Sequence, residues 1–218
     1  MITRDVYKLS EKDQMAGYEL FIQNLKEYLP DIRLEAIKPL LDRFDADMAS
    51  APASPSDHGA YIGGYLEHVN DVIEYSVLQR KIFEKQGLSV PSEEAVVFAA
   101  AFHDIGKISD GSNDHYIPED SPWHRENLGR NFKINEKPTA KLHHADKSLF
   151  LLQKFGIQMT LEEYQAIRLH DGPGAPINSW HAYQYGDGIC LLAQIIRAAD
   201  MAATVYRIQL DKEEKGMV

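Results

Sequence analysis

Ala99-Ala-Ala-Phe-His-Asp-Ile-Gly-Lys107 decides how the chain is read. A small-residue apolar run, Ala95 to Phe102, reads as a buried helix and delivers two strong metal-ligand types, His103 and Asp104, side by side at its end. Gly106 permits a sharp reversal, and Lys107 sets a cation one step beyond. A carboxylate buried there must be hydrogen-bonded, ion-paired or bound to metal. One reading is a helix C-terminus in which His103 caps the last carbonyls and Asp104 pairs with Lys107. The other is a metal site. The flanking sequence bears on the choice.

Upstream, Ser92 is an N-cap for this helix, and Glu93 and Glu94 suit its dipole. Before it, Tyr61-Ile-Gly-Gly-Tyr-Leu-Glu-His-Val69 opens a helix that reaches about Lys85. His68 shares a face with Tyr65, Val72 and Tyr75. A histidine on such a face is, taken alone, more often a satisfied core residue than a ligand. Gly63-Gly64 allows close backbone approach, which suits packing or a bound phosphate. The small-residue, proline-rich stretch from Ala49 to Gly59 is a loop. Ahead of it lie two helices with no residue that suggests chemistry. The first follows Ser10 and Asp13, at capping-box spacing, with Met15, Tyr18, Phe21, Ile22, Leu25 and Leu29 at helical spacing and Pro30 as its stop. The second runs from Asp31 to about Met48, with Pro39 as a kink position. Residues 1–50 thus form an N-terminal helical extension, with residues 1–9 an irregular lead-in, and offer a surface for a homo-oligomer.

Downstream, residues 109–138 show no sustained periodicity. A loop this long inside a compact domain is usually functional. It carries His115, Tyr116, Trp123, His124, Arg125, Arg130 and Lys133. As a substrate-binding insert it would stack Trp123 or Tyr116 on a base and turn Arg125 and Arg130 toward phosphates. The alternative is a solvent-exposed excursion. A helix then spans Ala140 to Phe155, closed by Gly156, with His143 and His144 near its start. Thr160 and Glu163 make a capping box for the helix Leu161 to His170, and His170-Asp171 repeats the His-Asp pair at its end. Residues 173–185, which include His181, read as a loop. The last helix covers Gly188 to Ile208, and the charged tail after Leu210 reads as frayed. Asp200 lies on the face of that helix with Ala193, Ile196, Ala203 and Thr204, so it is neutralised there by Arg197 or by a metal. No alternating run is bounded by hairpin turns. The fold class is all-α.

The chain has 218 residues, 44% of them hydrophobic, enough for one large domain with a real core. With 23 Lys and Arg against 33 Asp and Glu, its formal net charge is -10, which argues against stable nucleic-acid binding but not against a nucleotide in a local cationic pocket. The one cysteine, Cys190, reads as a small core residue. No apolar run approaches a membrane span and the N-terminus lacks a signal-peptide core, so a cytoplasmic setting is expected.

In chain order the ligand-type residues are His68, His103-Asp104 and Asp200, with His143, His144 and His170 between. Gly-Gly-Tyr-Leu-Glu-His68, Phe-His103-Asp104-Ile-Gly-Lys107 and Ile-Arg-Ala-Ala-Asp200 together resemble the HD-domain superfamily of metal-dependent phosphohydrolases over about residues 60–208. The resemblance implies a helical bundle with His68, His103, Asp104 and Asp200 around one divalent metal. Such a mixed N/O set suits Mn, Fe, Co, Ni or Zn better than Mg. It further implies a second metal on His144 and His170, bridged by Asp104, with His143 as competitor to His144. The family's His-His-Gly ending reads His170-Asp171-Gly172 here, a departure that bears on this second metal. Asp104 and Lys107 become the catalytic candidates, Lys107 binding phosphate and Asp104 or Asp171 orienting water. Glu67 fits a solvated or supporting role, and Lys107, Arg125, Arg130 and Trp123 are the substrate-contact candidates. The function implied is hydrolysis of a (deoxy)nucleotide phosphate ester, by a nucleotidase or nucleoside triphosphohydrolase. A phosphodiesterase on cyclic nucleotides or oligonucleotide ends is the alternative, and a non-catalytic nucleotide-binding protein is the second.

Overall fold

In the computed structural model residues 8–137, 142–172 and 190–214 are described. The Ser10 hydroxyl accepts from the Asp13 amide at 3.1 Å and starts α1, Glu11–Tyr28. Pro30 then caps α2, Asp31–Ser50, which carries Pro39 within it. α3 is Gly64–Lys85, and α4 is Glu93–Phe102, begun by the Ser92 side chain on the Ala95 amide. A 3-10 turn, Ile105–Lys107, follows the His-Asp pair. α6 is His144–Lys154, α7 is Leu161–Leu169 with the predicted Thr160/Glu163 capping box, and α8 is Leu191–Glu214. α8 stays helical past Leu210, where fraying was expected. The predicted loop over residues 173–185 with His181, the helix starts at Ala140 and Gly188, and the lead-in before Lys8 lie outside the described residues.

The fold is all-α, as the periodicity predicts, with one correction. Residues 109–138 are not without strands. β1, Tyr116–Pro118, pairs antiparallel with β2, Phe132–Ile134, and α5, Pro122–Leu128, lies between them. Strands of three residues are too short to leave an alternating pattern in sequence. Long-range contacts hold them: Pro55 O accepts from the Asn131 and Phe132 amides at 3.0 and 3.1 Å.

The core is one continuous cluster, and α1 and α2 belong to it. Phe21 and Leu25 of α1 and Ile37, Leu40 and Phe44 of α2 are buried with Val69 and Val72 of α3 and Phe98 and Phe102 of α4. The Phe21 ring meets Phe102 edge-on at 6.3 Å. Arg33 of α2 clamps α4 and α7. It donates to Glu163 at 2.6 and 2.9 Å and to Glu94 at 3.0 Å, and its guanidinium lies 3.9 Å over the Phe98 ring. Among the described residues no helix is long and apolar enough to cross a membrane.

Candidate metal centre

Two helices end on histidine in the same way. His103 closes α4 and His170 closes α7. Each Nδ1 lies 2.7 Å from the carbonyl three residues back, Ala100 O and Ile167 O. A carbonyl only accepts, so each Nδ1 carries the proton and each Nε2 is turned away from its own helix; that of His103 has no hydrogen-bond partner, and that of His170 lies 3.0 Å from His144 Nε2. His103 therefore does cap a helix end, and the Lys107 ammonium does lie 2.5 Å from Asp104 Oδ2. Both features of the purely structural reading are present; they leave His103 Nε2 without a partner, while Asp104 Oδ2 is shared between Lys107 and the imidazoles.

Those atoms converge on Asp104. On one side of its carboxylate, Oδ2 faces His103 Nε2 at 3.4 Å and His68 Nε2 at 3.7 Å. On the other, Oδ1 faces His144 Nε2 at 3.3 Å and His170 Nε2 at 3.4 Å. Asp200 of α8 closes the first side, 3.1 Å from His68 Nε2. His144 and His170 bring their Nε2 atoms to 3.0 Å of each other. Asp104 and His68 are buried, and both Asp104 oxygens, both His68 ring nitrogens and His103 Nε2 have no hydrogen-bond partner. Buried polar atoms are seldom left so. A divalent cation satisfies this donor set. His68, His103 and Asp104 lie within ligating reach of one another, as do His103, His170 and Asp200, and Asp104, His144 and His170.

The charges agree with that fit. Burial opposes ionisation of Asp104, yet Lys107, His103 and His144 hold its carboxyl well below the usual range. Burial opposes the Lys107 charge as well, but Asp104 raises its pKa. Asp200 is likewise lowered against burial, by His68 and then His103. Burial lowers His68 and His144 toward the neutral, ligating form. His170 goes the other way: despite burial, Asp104, Asp171 and Asp200 push it up to about 9. The cluster attracts a positive charge at the position of Asp104 Oδ1.

Ser148 and Gly106 explain how the two sides are joined. The Ser148 hydroxyl accepts from the Gly106 amide at 2.8 Å and donates to His103 O at 2.9 Å. A Cβ on Gly106 would lie 1.9 Å from His144 O. Glycine is required there by the close approach of α6, a different reason from the chain reversal read in sequence. Gly64 is similar, since its Cβ would lie 2.3 Å from Gly59 O. Of the two readings of Gly63-Gly64, this contact is packing.

The other candidates sit apart. His143 lies 3.6 Å from Asp171 with its ring 4.5 Å from that of His144, and these three are also within ligating reach of one another, whereas His144 meets Asp104, Asp171 and His170. A Cβ on Gly172 would lie 2.6 Å from the Nε of Arg197. Tyr61 donates to Glu67 at 2.5 Å, and Arg207 adds an ion pair at 3.3 Å, so Glu67 is engaged in a side-chain network. In the insert, Arg130 pairs with buried Glu119 at 2.9 Å and Arg125 donates to Glu119 O at 2.9 Å. Trp123 is exposed on α5 with its ring against His124. Arg130 thus answers a buried carboxylate within the insert, and Arg125 the carbonyl of the same residue. His58 is the residue that sequence reasoning passed over as a loop histidine. Its ring centroid is 4.5 Å from His68, and both its nitrogens are buried without a partner. Burial, then His68 and Lys107, lowers it to about 3, so it is neutral. The Gly59–Gly64 contact that puts it there has no local signature.

A family model described as HD domain matches residues 65–204, a span that contains His68, His103, Asp104, His144, His170 and Asp200. No curated protein and no solved structure matches the chain.

Proposed function

Because the chain belongs to the HD-domain family, we propose that it is a metal-dependent phosphohydrolase acting on a phosphate ester of a (deoxy)nucleotide. One observation carries the reading: a buried carboxylate, Asp104, with four imidazole Nε2 atoms within 3.7 Å and the Lys107 ammonium as its ion-pair partner. His68, His103, Asp104 and Asp200 would hold one cation, and Asp104, His144 and His170 a second. A bound divalent cation lowers the pKa of its water and polarises a phosphoryl oxygen. The nitrogen-rich donor set favours Mn, Fe, Co, Ni or Zn over Mg.

The chain's own residues do the rest. Lys107 supplies a buried ammonium for the phosphate oxygens. Asp171, lowered to about 2 against burial by His144 and His170, stays ionised across the neutral range. Its Oδ2, 3.1 Å from His144 Nε2, would accept a hydrogen bond from the attacking water and so orient it. The net charge of -10 supports a small ligand over a nucleic acid. The reading includes a cytoplasmic setting and leaves a homo-oligomer open.

A second reading, phosphodiesterase action on cyclic nucleotides or oligonucleotide ends, is favoured by the two-sided arrangement at Asp104, which suits two metals. Turnover screens with Mn, Fe, Co, Ni, Zn and Mg against nucleoside mono- and triphosphates, cyclic nucleotides and short RNA separate the two. Hydrolysis of a mono- or triphosphate, abolished by Asp104→Ala, supports the first. Metal bound with no turnover of any substrate sinks both and leaves a nucleotide-binding protein.

A further inference from the structure

The ligand-type imidazoles are not all held alike. His103 and His170 stand at helix C-termini, where the carbonyls three residues back are open to their Nδ1 atoms at 2.7 Å. His68 has no such recourse. It is the fifth residue of α3, and the carbonyls three and four residues before it belong to the hydrogen-bond ladder of that helix. Its Nε2 faces Asp200 at 3.1 Å and Asp104 at 3.7 Å, so Nδ1 is the atom that carries the proton when Nε2 ligates. That Nδ1 is buried and has no hydrogen-bond partner. A metal-bound histidine almost always donates its other N–H to an acceptor, which fixes its tautomer and the direction of its ring.

His58 lies against it. The two ring centroids are 4.5 Å apart, with the planes tilted by 46°. His58 is partly exposed as a residue, yet neither of its ring nitrogens is, and neither has a partner. A loop histidine left to itself turns its nitrogens to water. This one is held by its backbone. Ser54 Oγ donates to His58 O at 2.8 Å and accepts from the Asp57 amide at 2.9 Å, and the Ala53 amide donates to Gly59 O at 2.9 Å. The Gly59–Gly64 contact fastens this loop to α3 one helical turn before His68. Asn131 of the insert fastens its far end, donating to Ala60 O at 2.9 Å. Among the described residues His58 belongs to none of the groups within ligating reach of one another, so it faces a ligand without being one.

We propose that His58 is a positioning residue for His68. Its imidazole supplies, across at most one water, the acceptor for His68 Nδ1–H, and so keeps Nε2 turned toward the cation. The assignment rests on the metal-dependent reading of the centre and adds to it a residue outside the ligand set.

The test uses the full chain. Affinity for Mn, Co and Zn is measured by chelator competition, and the melting temperature of the metal-free protein beside it. His58→Phe keeps a ring against His68 and removes the acceptor. Its metal affinity should fall by about 10- to 100-fold. The metal-free variant should melt no lower than the wild type, because two unanswered buried nitrogens have gone. His58→Asn and His58→Gln each put an amide oxygen near one of the two nitrogen positions, and at least one of them should recover most of the lost affinity. Wild-type affinity in His58→Phe reduces the contact to packing and overturns the proposal. Equal losses in the Phe, Asn and Gln variants overturn it as well, since the acceptor is then not what matters. If His58→Phe does not fold, His58→Ala takes its place in the same comparison. A wild type that binds no divalent cation removes the metal-dependent reading itself, and the proposal with it. A wild type that binds metal no better than His58→Phe removes the proposal alone.

Discussion

Glu163 and Asp104 are both buried carboxylates beside a cation, and their surroundings could hardly differ more. Glu163 accepts two hydrogen bonds from Arg33 and one, at 2.8 Å, from the Thr160 amide. Arg33 spends its remaining donors on Glu94 and Gln158 O and lays its face on Phe98. That node is finished and holds three helices together. Asp104 has one ammonium and four imidazoles whose Nε2 atoms turn toward it. Satisfied, a buried charge is architecture. Left open among ligand-type atoms, it is a place for something else to bind.

The widest separation is expected from Asp104→Ala. Turnover falls by about 10³-fold or more, with loss of bound metal by elemental analysis. A variant that kept both metal and turnover would erase the distinction. Glu163→Ala should do the opposite. It leaves half-buried Arg33 without its main partner and costs about 1–3 kcal/mol in denaturant unfolding, with metal stoichiometry unchanged. Metal removal sharpens the contrast at the next level. At a concentration 100 times Kd the favoured cation should add about 2.7 kcal/mol to the wild type and nothing to His68→Ala. Equal shifts in the two would place the ion elsewhere. Gly106→Ala overpacks the join between the two sides of the centre and should cost about 1–3 kcal/mol, with metal affinity falling alongside stability.

The smallest effect tests an intermediate case. Lys147 is buried with one bond, from its Nζ to Ile108 O at 2.7 Å. Burial pulls its pKa down to about 8, against Asp110, Asp114 and Asp47. Between pH 8 and the unfolded value of 10.5 the unfolded chain binds more protons, so stability rises with pH. Below pH 8 both states hold the proton and the contribution levels off. Melting curves of Lys147→Met should lack this rise, and an unchanged profile would assign it to another group.

What the sequence discloses follows the range of the interactions involved. Ser10, Ser92 and Thr160 announce helix starts because a cap bonds only three residues away. The Ala95–Phe102 run announces a buried helix for a similar reason, and the order His68, His103-Asp104, Asp200 is legible as a family pattern. The Arg33–Glu163 clamp spans 130 residues and has no local mark. The same holds for His58 against His68 and for Gly106 under His144. The contacts of the insert's arginines are equally hidden. Cationic residues after a metal-type motif suggest phosphate, and the Glu119 carboxylate and carbonyl that Arg130 and Arg125 meet can be recognised as their partners only once β1 and β2 have paired.

The join at Gly106 has an architectural consequence. The chain leaves the centre at Ile108 and comes back at His144, and Lys147 and Ser148 bond the departing strand at Ile108 and Gly106. Everything between forms an excursion whose two ends are already stitched together. Such a segment is a cartridge: its length and side chains can be exchanged while the neck stays closed and the ligands stay in register. His115 and Tyr116 ride on it, whereas His68, His103, Asp104, His144, His170 and Asp200 do not. The ligand-type cluster and the insert therefore lie on separate pieces of the chain, joined at the neck that Ser148 and Lys147 close.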